Sequence, residues 1–182
     1  MNDDTPDAEA REDASPVVVP VVPGLLLGNL AAALDAPTLA RHGVTQTLNL
    51  AVNVDTPPLT LPDGVVVRRS KIGLIDGPGN HPAHIAAAAL AIDGMRAQTA
   101  PGKPSYPAHR EGALLVHCRG GRSRSVAVVA LWLARGADPA WPDADAAVKM
   151  LRKRRGIGPD QPCQAMLEAM RTAARFFEYC GA

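Results

Sequence analysis

Aromatic residues and long apolar runs are both scarce in this sequence. Phe, Trp and Tyr make up 3% of the 182 residues, although 47% of the residues are hydrophobic. We therefore expect one globular domain with a core of Ala, Val and Leu. The longest apolar run, 126–134, has nine residues. Because a helix that crosses a bilayer needs about 20 apolar residues, we expect no stable membrane insertion.

Cysteine is also scarce, and its number limits the disulfide chemistry. The three cysteines cannot all pair with one another. The acidic N-terminal segment has neither the basic start nor the apolar stretch of a secretion signal. Both observations favour reduced thiols and a cytoplasmic protein.

The small net charge of +1 conceals a difference between the two parts of the chain. Residues 1–13 contain six acidic residues and one arginine, a net charge of −5, which leaves +6 for the remainder. We expect a disordered acidic tail at 1–15 and one folded domain at 16–182. The mildly basic domain suits an anionic substrate and gives no indication of nucleic-acid binding.

Strand-like and helix-like segments alternate along 16–182, which predicts an α/β domain with a central mixed sheet flanked by helices. A segment with three prolines and two glycines, 98–112, predicts a surface loop to which we assign no role. The predicted strands are 17–22, 25–27, 46–52, 65–72 and 113–116, and the predicted helices are 31–42, 82–97, 125–134, 142–155 and 162–179.

The segment 117–125, with the sequence HCRGGRSRS, lies between an apolar strand pattern and an apolar helix pattern. Backbone N–H groups in such a loop can face one point at the positive end of the helix, which suits a bound phosphate. The same position favours the nucleophilic thiolate form of Cys118. Arg124 can bind two phosphate oxygens with its planar guanidinium group. These residues therefore predict phosphoryl transfer through cysteine.

The segment resembles the signature of the protein tyrosine phosphatase superfamily, His-Cys-x5-Arg-Ser/Thr. It matches the dual-specificity form, His-Cys-x-x-Gly-x-Ser-Arg-Ser, at every fixed position. The segments 22–29, 43–50 and 154–160 are similar to the opening strand, the second strand and the turn before the last helix of this family. The resemblance implies a dual-specificity phosphatase-like fold over about four-fifths of the chain.

The resemblance also implies a role for each residue of the signature. Cys118 would form the phosphocysteine intermediate, and Ser125 would stabilise its thiolate when it leaves phosphorus. His117 would order the loop. This chemistry uses no cofactor, and His81, His84 and His109 show no metal-ligand arrangement with Cys or acidic residues. The phosphate-binding residues would be Arg119, Gly120, Gly121, Arg122, Ser123 and Arg124.

The reaction needs an acid that protonates the leaving oxygen, and we predict that Asp76 is this acid. Asp76 lies in a breaker-rich loop directly after a predicted strand, 42 positions before Cys118. Its alternative role is that of an ordinary turn aspartate that caps the following helix. Asp143 follows Trp141 and Pro142, a triplet typical of the acid loop in many tyrosine phosphatases. Here the triplet comes after the signature helix, where it predicts a helix N-terminus instead.

Three further features have two interpretations each. Asn49 would either tie the second strand to the phosphate loop or be a plain polar residue at a strand end. Cys163 and Cys180 would either form a protective disulfide with Cys118, as in some family members, or be ordinary helix residues. The basic residues in 149–155 would either extend a basic substrate surface or form a solvated helix face.

The leading functional hypothesis is a dual-specificity protein phosphatase, whose partners are proteins phosphorylated on Tyr and on Ser or Thr. The alternative is a phosphatase for phosphoinositides or phosphatidylglycerophosphate, because Arg119 and Arg122 could bind a second negative group. A third hypothesis is an inactive phosphate-binding module, against which the intact Cys118, Arg124 and Ser125 argue.

Overall fold

The computed structural model describes residues 14–99, 102–136 and 140–180. The strands in these ranges are β1 (Val18–Val22), β2 (Leu25–Gly28), β3 (Val44–Ala51), β4 (Arg68–Leu74) and β5 (Ala113–His117). The helices are α1 (Leu30–Leu34), α2 (Ala36–Arg41), α3 (Pro82–Ala97), α4 (Arg124–Arg135), α5 (Ala144–Arg155) and α6 (Gln164–Cys180). The predicted tail at 1–15 lies almost wholly outside the described residues.

The five strands form one mixed sheet in the order β1-β2-β5-β3-β4. Strand β1 runs antiparallel to β2, and every other neighbouring pair is parallel. The central position of β5 explains its continuous apolar sequence, because a parallel strand buried on both faces has no polar side. The α/β class and the mixed sheet predicted from the sequence are confirmed.

The two faces of the sheet carry separate apolar cores. Leu114 and Val116 of β5 belong to the larger core, which also contains buried side chains of α3, α4, α5 and α6. Leu115, between them in sequence, belongs to the smaller core with buried residues of α1 and α2. This alternation follows from the two-residue period of a strand. The chain is thus a three-layer sandwich with unequal outer layers.

Two predicted elements differ from the structure. The sequence predicts a break at Pro37 in the helical segment 31–42. The structure has the break at Asp35 instead, because the Asp35 carboxylate caps α2 by accepting a hydrogen bond from Thr38 N at 2.8 Å. Strand β4 begins at Arg68, later than predicted, because Val65 and Val67 pack in the smaller core and Val66 makes an isolated bridge with Thr60. An apolar run alone could not distinguish this packing from a strand.

The segment 98–112 contains no helix or strand among its described residues, as predicted. It lies at the end of the sheet where β4 begins. Val66 N donates to Ala108 O at 2.7 Å, and Arg68 donates to Thr99 O at 3.3 Å. In the described part of the chain, no helix combines the length and the apolar composition required to cross a membrane.

Candidate active site

The segment 118–123 forms a compact loop between β5 and the first turn of α4, and we call it the phosphate loop. Cys118 is only 1% exposed. Its Sγ lies 3.3 Å from Gly121 N, which donates to it, and 3.3 Å from Ser125 Oγ. A backbone N–H group and a hydroxyl group therefore lie beside the sulfur at the positive end of α4, an environment that stabilises negative charge on sulfur.

Two successive carbonyl groups of this loop are held from outside the loop. Arg119 O accepts a hydrogen bond from Leu30 N at 2.9 Å, and Gly120 O accepts one from Arg155 Nη2 at 3.3 Å. In a trans peptide the N–H group points away from the carbonyl oxygen. The N–H groups of Gly120 and Gly121 therefore point to the opposite side, and that of Gly121 meets the sulfur.

Gly121 allows the loop to approach the end of β2. A Cβ atom on Gly121 would lie 2.6 Å from Gly28 O, and Gly121 has φ of +67°, which disfavours any side chain. A Cβ atom on Gly28 would lie 2.7 Å from Val17 O, so Gly28 allows the close approach of Val17. The close contact between β2 and the loop therefore depends on Gly121.

Arg124 is 3% exposed, and three acceptors fix its guanidinium group. Its Nη1 donates to Asn53 Oδ1 at 3.0 Å and lies 3.4 Å from Leu74 O. Its Nη2 forms an ion pair with Asp76 Oδ2 at 3.4 Å. The acceptors come from the last residue of β4 and from the loops that follow β3 and β4, so the carboxyl ends of two neighbouring strands orient this arginine.

The Asp76 loop, 75–80, is organised by one asparagine side chain. Asn80 Oδ1 accepts from Ile75 N at 2.9 Å, and its Nδ2 donates to Ile75 O at 2.8 Å and to Gly77 O at 3.2 Å. The Asp76 side chain is 45% exposed. The carboxylate therefore faces solvent on one side and the buried arginine on the other.

His117 lies beneath the loop and is completely buried. Its Nδ1 is 3.1 Å from Cys118 O, so a neutral ring with the proton on Nδ1 donates to that carbonyl. The pKa of His117 is lowered to about 4, chiefly by burial. The hydrogen bond to Cys118 O raises the pKa in part, and the charge of Arg69 adds to the lowering. The imidazole is therefore neutral at pH 7.

Comparison with known proteins agrees with this geometry. No protein-family model matches the chain. The chain is 34% identical over 133 residues to human dual specificity phosphatase 28, a match that covers 71% of this chain and 66% of that protein. The structure matches a crystal structure of human DUSP28 with a TM-score of 0.65 and 27% identity, over 91% of this chain and 99% of that chain. The chain belongs to the dual-specificity phosphatase family.

A second structural match extends the likeness in fold. A phosphatase domain from Chaetomium thermophilum has a TM-score of 0.64 and 22% identity, and the match covers 92% of this chain and 98% of that chain. The sequence match spans about two thirds of the length of the curated human relative, 66%. The family resemblance inferred from the signature is confirmed.

The remaining residues of the signature lie on the phosphate loop, and they differ in their exposure to solvent. Arg119 is exposed and Arg122 is partly buried. Ser123 is 4% exposed, and its Oγ accepts from Cys163 N at 3.4 Å. Cys118 and Cys163 are both free thiols, and Cys163 Sγ lies 3.9 Å from Asp76 Oδ1. Cys163 therefore lies where the Asp76 loop and the loop 118–123 meet. The Cys180 side chain lies outside the described residues.

Two aspartates were weighed as the acid of this phosphatase, and the structure places them differently. Asp76 lies beside Arg124, as described above. Asp143 is the N-cap of α5, and its Oδ1 accepts from Ala146 N at 2.7 Å. The expectation that the Trp-Pro-Asp triplet begins a helix therefore agrees with the structure.

Asn49 acts on a different loop from the one considered in the sequence. Its Oδ1 accepts from Ala51 N at 2.9 Å, and its Nδ2 donates to Val54 O at 2.9 Å. These bonds shape the turn that presents Asn53 to Arg124. The hypothesis that Asn49 ties the second strand to the phosphate loop is therefore wrong, because both hydrogen bonds of its side chain go to the segment 51–54.

The basic residues in 149–155 do not behave as one surface. Lys149 and Lys153 are exposed, whereas Arg155 is 8% exposed and contacts the phosphate loop. Arg152 donates to Pro159 O at 2.8 Å and so closes the turn after α5. Neither a uniform basic surface nor a uniform solvated face describes this helix.

Three site residues were missed by sequence analysis: Asn53, Asn80 and Arg155. The first two lie in short loops directly after predicted strands, a position that could have marked them. In residues 14–99, 102–136 and 140–180, no group of three or more His, Cys, Asp or Glu side chains could hold a metal ion.

Proposed function

We propose that this chain is a protein phosphatase that removes phosphate from proteins through a phosphocysteine at Cys118. The observation that carries the proposal is the convergence of Gly121 N–H and Ser125 Oγ on Cys118 Sγ, each at 3.3 Å, beside the buried Arg124. A nucleophile, donors for oxyanions and a fixed cation are the groups that phosphoryl transfer to a side chain requires.

In the first step, the Cys118 thiolate attacks phosphorus, and the bond from phosphorus to the substrate oxygen breaks. Arg124 and the loop N–H groups bind the non-bridging oxygens, whose negative charge competes with Asp76 for the guanidinium group. Asp76, in its protonated form, gives its proton to the leaving oxygen, so that an alcohol or phenol departs instead of an alkoxide.

In the second step, the phosphocysteine is hydrolysed. The Asp76 carboxylate takes a proton from water, and the water oxygen attacks phosphorus. The S–P bond breaks and inorganic phosphate is released. Ser125 donates a hydrogen bond to the departing thiolate, for which its Oγ is already within 3.3 Å of Sγ. The enzyme returns to its starting protonation state.

The opening of the site supports a broad substrate range. Val52 is 52% exposed and Ile75 is 46% exposed, and both flank the acceptors of Arg124. An apolar rim of this kind can contact a phosphotyrosine ring without excluding a shorter side chain. We propose that phosphotyrosine, phosphoserine and phosphothreonine in proteins are all accepted. Because the nucleophile must stay reduced, we propose the cytoplasm as its compartment.

The first experiment measures turnover of an aryl phosphate and of an alkyl phosphate by four proteins: the wild type, Cys118→Ser, Asp76→Ala and Asp143→Ala. We expect Cys118→Ser to abolish turnover and to retain tungstate binding, because the arginine and the loop N–H groups remain. Asp76→Ala should slow hydrolysis most for alkyl phosphates, whose leaving groups need protonation, whereas Asp143→Ala should match the wild type. Turnover that persists in Cys118→Ser would refute the proposal.

A second experiment compares phosphopeptides with phosphoinositide and phosphatidylglycerophosphate substrates. We expect phosphopeptides to be hydrolysed with the larger kcat/KM. A preference for the lipids, lost in Arg119→Ala and Arg122→Ala, would replace the protein-phosphatase proposal with the lipid alternative.

A further inference from the structure

Arg155, the last residue of α5, is a cation in an almost completely buried position. It is 8% exposed, and its Nη2 donates to Gly120 O at 3.3 Å. Transfer of a guanidinium group out of water is unfavourable unless its hydrogen bonds are replaced. A buried arginine at the back of the phosphate loop is therefore expected to have a role that an apolar side chain could not fill.

The accepting carbonyl belongs to the peptide group that also contacts the nucleophile. Gly120 O and the Gly121 N–H group are the two polar ends of one planar trans peptide, so they point in opposite directions. Arg155 holds the oxygen end, and the N–H end donates to Cys118 Sγ at 3.3 Å. Any rotation of this peptide that removed the N–H from the sulfur would also break the bond to Arg155.

We propose that Arg155 is a positioning residue that aims the Gly121 N–H group at the Cys118 sulfur. The positive charge on the oxygen side also polarises the peptide, and hydrogen bonds in such a chain strengthen one another. Arg155 does not touch the sulfur. It acts through one peptide group, and the result is a more stable thiolate.

The surrounding fold holds Arg155 in this orientation. Gly156, the C-cap residue after α5, has φ of +72° and donates a hydrogen bond from its N–H group to Arg152 O. Leu30 N holds the preceding carbonyl, Arg119 O, in the same way, so two adjacent peptides are oriented from behind. The donor at Leu30 is a backbone N–H group of α1, which a side-chain substitution does not remove. Arg155 supplies the corresponding contact from a side chain, and this contact can be removed by mutation.

The neighbouring arginine provides a matched control. Arg154 also lies in the last turn of α5, but it donates to Val21 O at 2.7 Å and lies 5.8 Å from the centre of the Trp141 ring. These contacts join α5 to β1 and do not involve the phosphate loop. Substitution of Arg154 removes the same charge from the same helix turn without altering the Gly120 peptide.

The test measures the rate at which iodoacetate alkylates Cys118 at pH 6.5, quantified on the Cys118 peptide by mass spectrometry. A hydrogen bond to a charged group changes an equilibrium constant, here that between thiol and thiolate, by about 10- to 100-fold, and the alkylation rate follows the thiolate fraction up to this limit. We expect this loss in Arg155→Met and Arg155→Gln. Arg155→Lys should lose about 2- to 5-fold, because one ammonium donor reaches less well than the guanidinium fork. Arg154→Met should react at the wild-type rate.

Thermal unfolding identifies the variants that are folded, and only these are compared. If the neutral variants do not fold, Arg155→Lys decides the question through its smaller loss. A wild-type alkylation rate in every folded Arg155 variant, or an equal loss in Arg154→Met, would overturn the inference.

The positioning role of Arg155 rests on the proposed function only in its consequence for catalysis. The alkylation test itself requires no turnover. A wild-type protein that hydrolyses no phosphoester but loses Cys118 reactivity in Arg155→Met would contradict the phosphatase proposal alone. A wild-type enzyme with normal turnover and no Arg155 effect on alkylation would contradict the positioning role alone.

Discussion

The residues around the sulfur are nearly all buried, and burial fixes both their direction and their charge. Cys118, Arg124 and Ser125 are each at most 3% exposed, and His117 is completely buried. Groups in such positions cannot exchange a poor partner for water, so each polar contact needs a defined geometry. The phosphate loop is therefore rigid in its hydrogen bonding before any substrate arrives.

His117 should make the stability of the protein depend on pH. Its pKa falls from 6.5 in an unfolded chain to about 4 in the folded protein, chiefly because it is buried. As the pH decreases from 6.5 towards 4, the unfolded state takes up a proton that the folded state does not, so the free energy of unfolding decreases. The expected loss is about 3 kcal/mol.

Urea unfolding at pH 7 and at pH 4.5 measures this effect. We expect His117→Gln to reduce the difference in unfolding free energy between the two pH values, because it removes the titrating group. His84→Gln, at an exposed position of α3, serves as the control and should keep the wild-type difference. The account of His117 fails if His117→Gln also keeps it.

At the residue scale, the residues of the signature were easier to predict than the residues that hold them in place. The spacing of Cys118 and Arg124 was sufficient to predict a phosphate loop, because few other uses require both in a strand-to-helix loop. Asn53 could not be predicted in its role, since only the folded turn brings its oxygen to Arg124. Arg155 was grouped with its charged neighbours because the sequence does not show which side of a helix end is buried.

At the scale of elements, helix ends with clear capping residues were predicted most accurately. Helix α3 has the predicted bounds Pro82–Ala97, because Pro82 is favoured in the first turn and the apolar pattern continues to the end. Strand β4 begins later than predicted, because the Val-rich segment before it is buried but is not hydrogen-bonded to a neighbouring strand along its length. Apolar sequence reports burial, whereas strand bounds depend on the hydrogen-bonding partner.

The N-cap of α5 gives an element-scale prediction. Asp143 accepts a hydrogen bond from Ala146 N at 2.7 Å, and replacement of such a cap by alanine typically lowers stability by about 1 kcal/mol. We expect Asp143→Ala to lose about this much in urea unfolding, with kcat unchanged for folded enzyme. Asp143→Ser should retain most of the stability, because serine also caps well.

The two measurements on Asp143 have separate consequences. An unfolding free energy equal to that of the wild type would contradict the capping role. A large decrease in kcat for alkyl phosphates would instead move the acid from Asp76 to Asp143.

At the scale of the whole molecule, the site lies at the carboxyl ends of three neighbouring parallel strands. The loops that follow β3, β4 and β5 supply Asn53, Asp76 and Cys118, and neighbouring parallel strands place these loops side by side. The strand order that produces this arrangement could not be derived from the sequence, because a parallel pair leaves no local signal of its partner. The segment 98–112 lies at the other end of the sheet, away from the chemistry.

The most direct test of the account traps the covalent intermediate. Asp76→Ala lacks the proposed base for hydrolysis of the thiophosphate, so it should accumulate phosphoenzyme with an aryl phosphate, whose leaving group needs little protonation. Rapid acid quench followed by peptide mass spectrometry should show one added phosphoryl group on Cys118, and none in Cys118→Ser. A phosphoryl group on a different residue, or turnover with no phosphoenzyme at any time point, would contradict the account.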